Sequence, residues 1–333
     1  MIQLKASTST HLRAAVPDEA FPSHSFGAIY ARIVRTESNH KYPNRSVSRS
    51  INDVAKSLTR NEATLFSEQQ PVDEIAPTTP AMPILRGAGA KKTISDLHLP
   101  EAVIAVKESI NCRDLKELQS LLVCRLGQNS QETRLRYARF IIRWFFADGL
   151  DGIAQKTWIA YQDDRILTDI LRYQYLAHEN VMGACVAECL FPIEIGMKVP
   201  ASLFDRFLSS HYAGEHTRKT SQRLKSNLMR LGILARHARE DDELLDLNPC
   251  KTSILLLTHN LFARNEPRTI ELRNLLANPF WMYLGIKHED QVRAIFREAD
   301  AAGCIGKYVV ADQLEQITTC FSLGTFLDKK VRL

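Results

Sequence analysis

From Ile94 onward, apolar and polar positions recur at helical spacing, and the spacing predicts a succession of helices. Leu99 to Ile110 and Asp114 to Arg125 each carry the pattern. Ser130 has the character of an N-cap. A long helix is expected after it, from Gln131 to Ala147, burying Leu135, Ala138, Ile142, Phe145 and Phe146. Asp148-Gly149 closes it. Gly152 to Tyr161, Asp164 to His178 and Val181 to Phe191 continue the pattern, and Pro192 ends the last. Residues 94–197 are therefore expected to form an all-helical bundle, with Trp144 and Trp158 in or near its core and Tyr161, Tyr173 and Tyr175 packing around it.

After the bundle the pattern shortens. A helix is expected from Pro200 to Tyr212, then the link Ala213-Gly214-Glu215, then a second helix ending at Gly232. Ile233-Leu234-Ala235 and Leu244 to Leu247, separated by a charged turn, suggest a small hairpin. Helix, Gly-containing turn, helix and hairpin make a winged helix-turn-helix-like unit over residues 198–264. Ser253 to Phe262 and Pro267 to Ala277 read as helices, and Asn278-Pro279-Phe280-Trp281 as a break. His288 to Ala302 reads as an amphipathic helix facing inward with Val292, Ile295, Phe296 and Ala299. Gly303 follows, then two strands, Ile305 to Val310 and Leu314 to Thr319. This repeats the winged layout over residues 265–333. The expected fold class is mainly α: a helical bundle followed by winged helix-turn-helix-like modules with small β-hairpins.

Residues 1–93 differ. They are rich in Ser, Thr, Pro, Asn and Arg, with Pro71, Pro77, Pro80 and Pro83 close together. Such a segment buries too little apolar surface to offset its ordering entropy, so it is expected to be a disordered or poorly ordered basic tail. A short helix over Ile51 to Leu58 is one exception to that reading. Arg32, Arg35, Arg45 and Arg49 suit a loose nucleic-acid arm, although a dispensable tail explains them as well. A start of translation at Met82 is a further expectation, which peptides from residues 1–81 in the native protein would exclude.

Composition bounds the class. Of 333 residues, 45% are hydrophobic and 24% charged, so most of the chain is globular. Seven cysteines at irregular spacing, with no Cys-x-x-Cys pair, read as buried thiols of a reducing compartment. No apolar run approaches a membrane span and no secretory pattern opens the chain, so a soluble cytoplasmic protein without membrane contact is expected. The net charge of +5 is mild, so any affinity for nucleic acid must come from where the charge sits.

It sits between His216 and Arg239, where no acidic residue occurs. On the expected helix, Leu224, Leu228 and Leu231 form an apolar stripe that Thr217 and Ser221 continue. Arg218, Lys219, Gln222, Lys225, Ser226 and Met229 fall opposite, and Arg223 and Arg230 flank. A cationic, donor-rich face of this kind suits phosphates and base edges. Arg218, Lys219, Lys225 and Arg230 are expected on phosphates, Gln222 and Ser226 at the groove floor, and Arg223 at either. A solvated face that touches nothing is the alternative. Arg136, Arg139 and Arg143, at i, i+3 and i+7, form a second basic stripe that suits either phosphate contact or ordinary ion pairing. In the hairpin, Arg236, His237 and Arg239 could reach a minor groove, but Glu240, Asp241, Asp242 and Glu243 would repel a duplex.

No catalytic constellation stands out. Gly87-Ala88-Gly89-Ala90-Lys91-Lys92 lacks the spacing of a phosphate loop. Asp163-Asp164-Arg165 and Asp241-Asp242-Glu243 read better as loops or caps than as a metal-dependent nuclease site. No enzyme activity, cofactor or metal is expected.

The chain resembles the BrxA family, accessory proteins of bacterial BREX phage-defence systems. The carriers are Thr133-Arg134-Leu135-Arg136-Tyr137-Ala138-Arg139, His216-Thr217-Arg218-Lys219-Thr220, Leu231-Gly232-Ile233-Leu234 and Pro279-Phe280-Trp281-Met282-Tyr283-Leu284-Gly285, in that order over residues 94–328. The resemblance implies a helical protein with winged modules that binds double-stranded DNA without catalysis and acts with other BREX-type defence proteins. The residues alone leave two alternatives open: a helix-turn-helix transcriptional regulator binding an operator as a dimer, and a protein-docking scaffold without DNA binding.

Overall fold

The computed structural model describes residues 94–211, 218–236, 241–311 and 314–333, all within one unit, Pro77–Leu333. The tail expectations, including Ile51 to Leu58, the arginine arm and Gly87 to Lys92, lie outside the described residues. What is described is mainly helical, with two small antiparallel sheets. No described helix is long and apolar enough to cross a membrane.

The first half is built of helices α1 (Leu99–Ser109), α2 (Leu115–Arg125), α3 (Gln131–Phe145), α4 (Ile153–Tyr161), α5 (Asp164–His178) and α6 (Asn180–Ala184). Their starts follow from local chemistry. Asp114 accepts the Lys116 and Glu117 N–H groups. Ser130 Oγ accepts the Thr133 N–H at 3.1 Å. Asp163 accepts those of Arg165 and Ile166. Each side chain satisfies donors that the first turn leaves open, so Asp163 serves as a cap.

Helix α5 is the centre of the packing. It buries Ile166, Leu167, Ile170, Leu171, Tyr175 and Leu176 and touches α1, α3, α4 and α6. The inward face of α3 is rotated from expectation. Ala138, Ile141, Trp144 and Phe145 are buried, while Leu135 and Ile142 are half-exposed. Trp144 sets this angle by standing edge-on to Tyr175, ring centres 5.1 Å apart. Trp158 is half-buried and packed against the core, with Lys107 Nζ over its ring at 4.5 Å. After α6 the chain winds as a π-helix over Cys185–Leu190, where an α-helix was expected. Apolar spacing over so few residues does not separate an i→i+5 turn from an i→i+4 turn.

The second half contains β1 (Lys198–Val199), α7 (Ala201–His211), α8 (Arg218–Arg230), β2 (Leu234–Ala235), β3 (Asp242–Leu244) and α9 (Lys251–Phe262). It continues with β4 (Thr269–Glu271), α10 (Leu272–Leu276), α11 (Phe280–Tyr283), α12 (Glu289–Ala301), β5 (Lys307–Ala311), β6 (Leu314–Thr318) and α13 (Leu323–Asp328). The sheets run β1-β3-β2 and β4-β6-β5, with every pairing antiparallel. Both sheets thus place the last strand in the centre, after a strand, helical segments and a second strand. The topological repeat extends to β1 and β4, neither of which the sequence pattern showed.

Two expectations are corrected here. Pro267 to Ala277 is not one helix: Thr269 to Glu271 pair with Thr318 to Gln316 as a strand. Thr269 and Ile270 are β-branched and suit that conformation, and only Leu272 to Leu276 coil. The expected break at Asn278 to Trp281 holds the start of α11, where Asn278 Oδ1 accepts the Phe280 N–H at 3.0 Å. In α12, Val292, Phe296 and Ala299 are buried and Ile295 is half-buried.

Candidate nucleic-acid interface

Helix α8 carries the charge pattern singled out above, so its surroundings decide what that charge can reach. Its buried side is Thr220, Ser221, Leu224, Asn227 and Leu228, and Leu231 is buried just beyond its end. The leucine stripe is therefore where periodicity put it. Thr217, at its start, lies outside the described residues. Asn227 breaks the apolar stripe and is fully buried. Its amide spans two elements. Oδ1 accepts the Leu97 N–H at 2.9 Å, while Nδ2 donates to Ser95 O at 2.8 Å and to Tyr175 Oη at 2.9 Å.

Residues Ile94 to His98 form a strap along one flank of α8. Arg223 Nη1 donates to Ile94 O at 3.4 Å, and its Nε lies 3.9 Å from Asp96 Oδ1. Arg230 Nη1 donates to Leu97 O at 2.9 Å. On the opposite flank, Lys225 Nζ meets Asp242 Oδ2 at 2.6 Å and sits over the Phe204 ring at 5.9 Å. Asp242 is buried in β3, the middle strand of the first sheet.

The open-face expectation is therefore corrected for three cations. Lys225, Arg223 and Arg230 are half-buried and bonded within the protein, because long side chains on the flanks of a packed helix reach the elements beside it. Ser226 and Met229 are also half-buried. Arg218, Lys219 and Gln222 are exposed, and neither cation is in an ion pair among the described residues. The exposed residues of α8 among those expected on its open face are thus Arg218, Lys219 and Gln222, in its first two turns.

The local electrostatics agree with this division. Burial alone would raise the Glu101 carboxyl, but its hydrogen bonds and the positive fields of His98 and Arg230 outweigh burial and hold it below the usual range. Part of the charge of Arg230 is thereby spent inside the molecule. At the other end of α8, Arg172 Nε donates to Leu231 O at 3.0 Å, and Arg172 Nη1 to Asp169 Oδ1 at 2.7 Å. Asp169 Oδ2 accepts the Cys250 N–H and the Ser253 hydroxyl at the start of α9. Burial pushes the Asp169 carboxyl up, against the pull of Arg172 and these donors. This pair ties the end of α8 to the start of α9 through α5.

The second stripe lies on α3. Arg136, Arg139 and Arg143 are all exposed, and none is in an ion pair among the described residues. Arg136 lies 5.5 Å from the Tyr137 ring, and Tyr137 in turn packs on His98 of the strap, ring centres 3.7 Å apart. The strap therefore touches both basic helices. Arg236, after β2, is exposed, while His237 and Arg239 lie outside the described residues.

Asn227 and the strap escaped the sequence reading, and Asp242, read there as a loop acid, is instead a buried strand residue paired with Lys225. The one available signal was an asparagine between Leu224 and Leu228. Among the described residues no three His, Cys, Asp or Glu side chains gather as metal ligands. Comparison of the chain with protein-family models, with curated proteins and with solved structures finds no match.

Proposed function

We propose that the chain binds double-stranded DNA, without catalysing a reaction, through the leading turn of α8. In this reading β1, α7, α8, β2 and β3 act as a winged helix-turn-helix, with the β2–β3 hairpin as the wing. One observation carries it. Arg218 and Lys219 stand exposed and outside any ion pair among the described residues, while the cations behind them are anchored to protein. Helix-turn-helix proteins present base edges and phosphates to the first residues of the second helix, where the helix dipole also favours an anion. Arg218 and Lys219 take phosphates and Gln222 faces the groove. Arg136, Arg139 and Arg143 of α3 add a second line of phosphate contacts. Following the BrxA resemblance, the protein acts as an accessory of a BREX-type phage-defence assembly in company with other defence proteins.

The test is a titration of random duplex at increasing salt. Affinity falls steeply with salt and depends little on sequence. Arg218→Ala with Lys219→Ala lowers the salt slope by about two, one per lost phosphate contact. An unchanged slope takes α8 out of the interface. A large preference for one palindrome turns the reading to a dimeric transcriptional regulator, and absence of binding at low salt turns it to a docking scaffold. The docking reading has its own support in the second module. Its corresponding helix, α12, leads with Glu289 and Asp290, which suit a protein partner better than a phosphate.

A further inference from the structure

The two sheets share one topology but differ in their last-placed outer strand. In the first sheet that strand, β2, is two residues long, whereas its counterpart β5 has five. Strand β5 pairs with β6 along its whole length, from Lys307↔Thr318 to Ala311↔Leu314. In the order β4-β6-β5, its other side meets no strand among the described residues. Every second residue of such an edge turns its N–H and C=O away from the sheet. Those groups can template one more strand.

Little in the sequence of β5 blunts this edge. Protected edges carry proline, central charges or only a residue or two. Lys307-Tyr308-Val309-Val310-Ala311 has no proline and no acidic residue, and its one charge stands at the first position. Helix α12 packs on β5, but covers it only in part. Arg297 lies over the Tyr308 ring at 5.8 Å, and Tyr308 Oη donates to Glu315 Oε1 at 3.2 Å. Two residues further, on the same face, Val310 is 56% exposed, and Leu314 on β6 is 44% exposed. Apolar side chains beside an open edge gain free energy when a further strand covers them.

Charge selects the occupant. Setting β5 antiparallel to a second β5, centred on Val309, places Lys307 opposite the partner's Ala311. Tyr308 then faces the partner's Val310, and Val309 faces the partner's Val309. Cross-strand pairs of aromatic and β-branched residues are favourable. The two lysines stand about 14 Å apart along the strands, beyond the Debye length of about 8 Å at physiological salt. Parallel pairing in register would bring them to about 4.8 Å. The strand is therefore complementary to itself about a two-fold axis, as an isologous interface requires.

We propose that β5 is a dimerisation edge, which joins a second copy of this chain into one antiparallel sheet of order β4-β6-β5-β5-β6-β4. The experiment is sedimentation of the full chain over the micromolar range, without nucleic acid. The wild type is expected to approach twice the monomer mass as its concentration rises. Val310→Lys, at an exposed position, is expected to keep the melting temperature and lose the dimer. Directly opposed residues of an antiparallel pair lie about 4.5–5.5 Å apart, Cα to Cα, which a disulfide can bridge. Val309→Cys under oxidised glutathione should therefore give a covalent dimer, which peptide mass mapping places at position 309. The wild type, with its native cysteines, should give no such product. A wild type that stays monomeric at every concentration overturns the proposal. A dimer that Val310→Lys leaves intact, or that Val309→Cys fails to trap, puts the contact elsewhere and overturns it too. With no nucleic acid present, each of these outcomes leaves the reading of α8 untouched.

Discussion

At the scale of single residues, Asn227 and His259 do the most that a charge or apolar pattern does not announce. Asn227 uses three of the four hydrogen bonds its amide can make, all in the interior. Asn227→Leu would keep the volume roughly and leave the Leu97 N–H and the Ser95 carbonyl without their partner. Each stranded buried group costs about 1–3 kcal/mol, so a loss of about 3 kcal/mol is expected in urea unfolding. A variant within about 0.5 kcal/mol of wild type would show that the strap finds other partners. His259 is fully buried in α9, donates from Nδ1 to Leu255 O at 2.8 Å and packs on the Phe326 ring at 4.3 Å. Burial holds its pKa below the ordinary 6.5. The fold therefore keeps the imidazole neutral while the unfolded chain takes up a proton, so stability is full above pH 6.5 and falls as the pH drops below it. His259→Gln should remove that part of the acid sensitivity. Melting temperatures measured between about pH 7.5 and pH 5.5 should fall less in the variant than in wild type.

At the scale of elements, the ends of helix α12 show how one residue type answers two different needs. Gly285, ahead of it, has φ +83°, and a Cβ there would meet Leu247 atoms at 3.0 Å. Gly303, behind it, has φ +69° and open space. Gly303→Ala should cost about 1–2 kcal/mol, the ordinary penalty of a left-handed residue. Gly285→Ala should cost that and about 1 kcal/mol more, for crowding Leu247. Equal costs in chemical denaturation would mean that Leu247 yields freely. The elements also explain which cations of α8 stay open. A helix of this length packs one face on the leucine core and lets its flanks find neighbours. Arg223 and Arg230 find strap carbonyls and Lys225 finds Asp242, whereas Arg218 and Lys219 in the leading turn are exposed and in no ion pair among the described residues.

At the scale of the whole molecule, one continuous apolar core joins the helical half to both sheets, from Ile94 and Leu97 through Tyr175 and Leu228 to Trp281, Phe296 and Phe326. The described part should then unfold as a unit. Single-tryptophan variants reporting from Trp144 or from Trp281 should give coincident urea transitions. Separated midpoints would mean that the C-terminal module melts independently. Much of this architecture was legible in the sequence, because helical periodicity and N-caps are local. Ser130, Asp114, Asp163 and the leucines of α8 act within a turn or two of themselves. Strands β1 and β4 were not legible, since two or three residues become a strand only when β3 or β6 lies alongside. Nor was the division of the cations. Arg218 and Arg230 are the same residue type on one cationic helix, but the partner of Arg230 is a carbonyl 133 residues away. The sequence by itself determined where the capped helices start, which face of α8 is apolar, and that this helix is strongly cationic. Only the tertiary structure decided which of those cations are bonded inside the fold and which stay exposed, because a hydrogen bond to a distant backbone carbonyl has no signature in the residues around either end.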